Sequence, residues 1–226
     1  MSPEVGRPDR GSWPSRWLGG LVGELLLGVA HAWTGVRPLW RGTVPRAVQR
    51  IYFANHGSHG DFVLIWATLP PHVRRITRPV AGQDYWLASG LRRFMAARVF
   101  NALLIDRAPK AGEPSPVDRM GVALRQGSSL IIFPEGTRNT SEQALLPFKS
   151  GLYHLGRSNP QAELVPVWID NIRRVMPKGE FIPVPLVCTV SFGAPLVIGP
   201  DERKEDFLAR ASQAVLDLRP QESVSC

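Results

Sequence analysis

Beyond Gly42 the chain alternates short, almost wholly apolar runs with stretches of helical periodicity, and no other feature of its 226 residues constrains the fold as much. Apolar runs bounded by turn residues predict strands over 50–54, 102–105, 129–133, 164–169 and 183–192, with a further short one over 195–198. Helical spacing predicts helices over 61–69, 85–100, 117–126, 149–157 and 205–218. Such alternation implies an α/β fold, a mixed sheet flanked by helices. The Pro- and Gly-containing run 109–116 is a loop rather than a linker, because apolar strands continue on either side. No internal repeat occurs, so residues 42–220 are expected to form one domain around one core.

Upstream of that domain the composition changes. Residues 1–16 carry three prolines, two glycines and three arginines, the composition of a disordered basic lead. Residues 17–41 are expected to be a membrane-associating helical segment. Its stretch from Trp17 to Trp33 is short for a span of about 20 residues and is interrupted by Glu24 and His31. Leu18, Leu21, Val22, Leu25, Val29 and Trp33 recur at helical spacing, with tryptophans at both ends, as in a helix lying in a membrane interface. A buried core helix would also be this apolar. Ala30-His31-Ala32 mimics a signal-peptidase site, but Glu24 in the would-be apolar region argues against secretion.

Lysine and arginine number 27 against 19 acidic residues, a net charge of +8 that favours an anionic partner: nucleic acid, an anionic membrane surface or a phosphorylated substrate. Zinc-finger and RNA-recognition signatures are lacking, so charge alone speaks for nucleic acid. Two cysteines, Cys188 and Cys226, make neither a disulfide framework nor a Cys-rich metal site, which fits a reducing compartment.

Four stretches carry candidate chemistry. Asn55-His56-Gly57-Ser58-His59-Gly60-Asp61 joins a strand to a helix, a place where catalytic groups are held by a rigid scaffold. A turn that doubles back would let Asp61 accept a hydrogen bond from one ring nitrogen of His56, leaving the other basic and fixed in direction. The Ser58-x-x-Asp61 spacing is also that of a helix capping box, and both readings can hold together. Ser58 lacks the Gly-x-Ser-x-Gly setting of a hydrolase nucleophile. His56, His59 and Asp61 form a conceivable metal set, although their spacing matches no common metal motif. The other three stretches are Ile105-Asp106-Arg107, Phe133-Pro134-Glu135-Gly136-Thr137-Arg138, and Val165-Pro166-Val167.

In that order the four resemble the blocks of the glycerolipid acyltransferase family, most closely its 1-acylglycerol-3-phosphate branch, over residues 50–195. The resemblance implies a glycerol-phosphate acyltransferase-like fold with an acyl-chain tunnel and a preceding membrane-binding helical hairpin. It implies transfer of a fatty acyl group from acyl-CoA or acyl carrier protein to the hydroxyl of a lysophospholipid, with 1-acylglycerol 3-phosphate giving phosphatidic acid, at the cytoplasmic face of the cell membrane. His56 would be the general base and Asp61 its orienter, with no cofactor and no metal. Glu135, Gly136, Thr137 and Arg138 would line the acceptor site, with Arg138 and Arg107 on its phosphate and a backbone N–H near Gly136 on the oxyanion. The chain departs from the family in Ala81-Gly82-Gln83-Asp84, where a lysine is common, and in Asn101-Ala102-Leu103-Leu104, where a glycine is. A lyso-amino-acid lipid acceptor and a metal-dependent hydrolase are the alternatives.

Overall fold

The computed structural model describes residues 13–58, 60–170 and 188–220. Helix α1 (Trp13–Thr34) leads into strand β1 (Arg37–Trp40), then β2 (Arg50–Ala54), α2 (Asp61–Thr68), the short α3 (Pro71–Arg74) and β3 (Thr77–Gly82). Two short helices, α4 (Gln83–Trp86) and α5 (Gly90–Phe94), continue into a π-helical turn (Met95–Val99) and β4 (Leu103–Ile105). The rest is α6 (Pro116–Arg125), β5 (Ser129–Ile132), α7 (Gly151–Ser158), β6 (Glu163–Asp170), β7 (Thr189–Phe192) and α8 (Lys204–Leu216).

Among the described residues the strands form one seven-stranded sheet in the order β1-β7-β6-β2-β5-β3-β4. The β6–β7 pair is antiparallel and every other pair parallel, so the sheet is mixed as expected. The apolar runs are continuous because both faces are covered. From β2, Tyr52 and Ala54 enter one core with Leu64, Ile65 and Trp66 of α2, and Ile51 and Phe53 enter the other with α6, α7 and α8. Arg50, fully buried, is satisfied by Glu163 at 2.8 Å, the Val44 carbonyl and Thr43.

Several elements differ from the sequence reading. Within 17–41 the helix ends at Thr34, and Arg37–Trp40 is an edge strand beside β7. Strand β3 is not among the expected strands, and it contains a proline, Pro79, a residue unusual between two neighbouring strands. Thr77 to Pro79 pair with β5 whereas Val80 to Gly82 pair with β4, so the proline falls where the partner changes. The helix expected over 85–100 is broken at Ser89, whose side chain caps α5 through the Arg92 N–H. Residues 195–198 make only a bridge, Leu196 to Leu164. Of the strand expected over 183–192, residues 183–187 lie outside the described residues, as do His59, Cys226 and most of the basic lead.

Helix α1 packs on the domain through Gly19 and Gly23. Gly19 and Gly23 meet Arg98, Val99 and Trp66, and Val22, Leu26 and Ala30 pack on the core. Trp17, Leu18, Leu21, Leu25 and Val29 stay exposed, Leu25 by 68%. No helix among the described residues is long and apolar enough to cross a membrane.

Candidate active site

Ligands of parallel α/β sheets bind beyond the carboxyl ends of the strands, and the chain places its chemistry there. Strand β2 ends at Ala54, and the Asn55 side chain clips the turn to β6 by accepting from the Ile169 N–H at 2.8 Å and donating to the Ile169 carbonyl at 3.1 Å. His56 follows. Its Nδ1 lies 2.8 Å from Asp61 Oδ2, at the first residue of α2.

That same oxygen accepts the N–H groups of Gly57 at 2.7 Å and Ser58 at 2.9 Å. Asp61 is buried, whereas the His56 side chain keeps 17% of its surface. A carboxylate accepts only, so in the neutral ring Nδ1 carries the proton directed at Asp61 and Nε2 keeps its lone pair. The capping-box alternative is half realised. Asp61 reaches back to the Ser58 N–H, but Ser58 Oγ accepts from Gly60 at 3.2 Å and the cap residue of α2 is Gly60, without a side-chain bond. One carboxylate therefore both closes the turn and orients the ring. On its flat face the imidazole stacks on Phe133, centroids 4.2 Å apart and planes 17° from parallel.

The turn after β5 lies on the neighbouring strand of the sheet, about 5 Å away. Gly136, Thr137 and Arg138 are exposed at its tip. Gly136 has φ 73°, a left-handed conformation suited to glycine. Its N–H closes the turn onto the Phe133 carbonyl at 3.0 Å. Glu135 does not join the exposed tip: it is buried, with its carboxylate directed at main-chain N–H groups of His56 and Leu146.

Arg107 follows β4, three strands and roughly 14 Å from β2 at ordinary strand spacing. Its guanidinium lies over Gly82 at the end of β3, where an added Cβ would come within 2.9 Å of Arg107 Nε. Asp106 turns away to Gln83 and the Ala108 N–H.

Lys149 was not foreseen. Its main chain is fixed by the Pro134 carbonyl at 2.8 Å, and its side chain crosses the place where a Cβ on Gly136 would sit, with Nζ 2.7 Å from that point. Because 13 positions separate Gly136 from Lys149, no local spacing could announce the contact. Cys188, buried on the same side of the sheet as Tyr52 and Ala54, has its thiol pushed up to about 11 by burial first, then by the charges of Asp170 and Asp61. It stays protonated and takes no part as a nucleophile. Among the described residues no group of three His, Cys, Asp or Glu side chains could hold a metal ion.

Known acyltransferases resemble this chain in sequence and fold. The family model described as Acyltransferase matches residues 41–170. A 1-acyl-sn-glycerol-3-phosphate acyltransferase of Limnanthes alba is 31% identical over 186 residues, covering 79% of this chain and 61% of that protein. The chain thus spans about three fifths of the length of that relative. The enzyme of the same name from Cocos nucifera is 31% identical over 65% of this chain and 45% of its own length. Among solved structures, the 1-acyl-sn-glycerophosphate (LPA) acyltransferase PlsC of Thermotoga maritima superposes with a TM-score of 0.67 at 21% identity, over 94% of this chain and 86% of that one, a likeness of fold.

Proposed function

Since the chain belongs to the acyltransferase family, we propose that it transfers a fatty acyl group from a thioester to the free hydroxyl of a lysophospholipid, 1-acylglycerol 3-phosphate giving phosphatidic acid. The observation that carries this reading is the His56–Asp61 pair, with Nδ1 engaged by a buried carboxylate and the ring left partly open to solvent.

In the proposed step, His56 Nε2 takes the proton of the acceptor hydroxyl as its oxygen bonds to the thioester carbonyl carbon. The tetrahedral intermediate then collapses with cleavage of the C–S bond. The imidazolium, stabilised by Asp61, returns its proton to the departing thiolate. No covalent acyl-enzyme is required, so holding the two substrates together supplies much of the acceleration. Arg138, Arg107 and Lys149, three cations around the turns after β4 and β5, suit the acceptor phosphate, and a guanidinium grips it with a planar fork.

The surface of α1 supports action at a membrane. Packing on the domain through Gly19 and Gly23 leaves Trp17, Leu18, Leu21, Leu25 and Val29 facing outward, as an interfacial helix requires. Exposed Arg92 and Arg93 add attraction to anionic headgroups, about 1 kcal/mol for each basic residue near the surface. On this reading the enzyme lies on the cytoplasmic face of the membrane and draws its thioester, of coenzyme A or acyl carrier protein, from the aqueous side.

The test is direct. The full chain is incubated with labelled acyl-CoA or acyl carrier protein and a panel of lysolipids in anionic vesicles, and products are identified by mass. Labelled phosphatidic acid from 1-acylglycerol 3-phosphate is expected. Acylation confined to an acceptor without phosphate would contradict the reading.

A further inference from the structure

Glu135 is 3% exposed, and two loops meet at its carboxylate. Oε1 accepts the His56 N–H at 2.6 Å, and Oε2 accepts the Leu146 N–H at 2.8 Å. The His56 carbonyl in turn accepts from the Asn139 N–H at 2.7 Å. The main chain of His56 is thus held at its N–H and its C=O by the segment 135–139, while its ring is held by Asp61 and Phe133.

The chemistry of this clamp suits an anion. A carboxylate presents acceptors on both oxygens, one to each amide, and charge-assisted bonds of this kind are roughly twice as strong as neutral ones. A carboxamide of the same size offers one acceptor, and its NH₂ would face the second N–H. The clamp also has a geometric consequence. Leu146 lies three residues before Lys149, whose side chain crosses Gly136. A single carboxylate therefore registers the base against the turn and the loop that carry Arg138 and Lys149.

We propose that Glu135 is a positioning residue, setting the place of His56 through its main chain, and not a ligand of the acceptor. This rests on the reading of His56 as general base. A misplacement of the reacting groups by 1 Å can cost about 10²-fold in rate, and a strap on the main chain of the base controls displacements of that size.

Two measurements test it on the full chain. Glu135→Gln should lower kcat by about 10²-fold while the acceptor KM changes by less than about threefold. A kcat equal to wild type, or a loss confined to acceptor KM, would overturn the inference. Amide hydrogen exchange gives a readout independent of activity. In the wild type the amides of His56 and Leu146 should be strongly protected, and in Glu135→Gln, which keeps one acceptor, at least one of the two should exchange at least about tenfold faster with the sheet unchanged. Rapid exchange of both amides in the wild type would overturn the inference even if the variant fails to fold. Should His56→Ala be as active as wild type, the acyl-transfer reading falls, and the exchange data still decide whether Glu135 holds the loop.

Discussion

Gly19 of α1 lies against the main chain of Arg98 so closely that a Cβ would come within 2.6 Å of the Arg98 carbonyl oxygen. The contact seats the N-terminal helix on the π-helical turn, and a backbone oxygen cannot swing aside as a flexible side chain could. Gly19→Ala is therefore expected to weaken the docking of α1 by about 1–3 kcal/mol, the usual cost of overpacking. Gly20→Ala, which meets nothing within 4 Å, should be neutral or slightly stabilising. Limited proteolysis within α1 reads the difference; equal cleavage of the two variants would show that Gly19 does not seat the helix.

Arg138, exposed at the turn after β5, should act on the acceptor phosphate. Hydrogen bonds to charged groups contribute about 1.5–3 kcal/mol, so Arg138→Ala is expected to raise the acceptor KM at least about tenfold. Arg138→Lys should recover part of this, because an ammonium lacks the guanidinium fork. Lys149→Met should raise the same KM. Equal losses on a phosphate-free acceptor, measured by steady-state kinetics, would reassign these residues to structure.

Cys188 should resist modification in the folded protein. Its thiol is raised from an ordinary 9.0 to about 11, chiefly by burial, so at pH 8 only about one molecule in a thousand carries the thiolate. Iodoacetamide at pH 8 should leave the peptide containing Cys188 unlabelled until denaturant is added. The linkage has a definite sign: a folded-state pKa above the unfolded one favours the folded state fully below pH 9, and the advantage is lost as pH rises toward about 11. Cys188→Ala should remove that part of the alkaline decline in Tm. Ready labelling of Cys188 in native protein would contradict this.

Asn101 is the one residue other than glycine with positive φ among the described residues, at 48°, and its carbonyl accepts from the buried Arg78 at 2.9 Å. Asparagine tolerates this left-handed conformation better than most residues do. Asn101→Gly should leave stability nearly unchanged, whereas Asn101→Val should cost about 1–2 kcal/mol. Thermal unfolding of both variants checks this, and an equal loss for both would place the cause in the asparagine side chain.

Legibility in the sequence followed the range of the interactions. The apolar runs of β2, β5 and β6 announced themselves because burial on both faces demands them, and the His56–Asp61 pair was visible because five positions separate its members. Strand β3 is hidden by Pro79, which falls where the pairing partner changes. Glu135 is legible as a site residue, but its bond to the His56 N–H spans 79 positions and no local pattern encodes it. Lys149 was missed for the same reason. Asn101, in the stretch that departs from the family by lacking a glycine, has a positive φ of 48°.

The central claim is that His56 is a general base oriented by Asp61, and the turnover of two variants on labelled acyl thioester and 1-acylglycerol 3-phosphate tests it most directly. General-base catalysis contributes roughly 10²–10⁴-fold, so His56→Ala is expected to lose at least that much kcat. Asp61→Asn should lose most of it as well, by favouring the wrong ring tautomer, while donor binding persists in both. Wild-type-like kcat in a folded His56→Ala protein, or in a folded Asp61→Asn protein, would contradict the account.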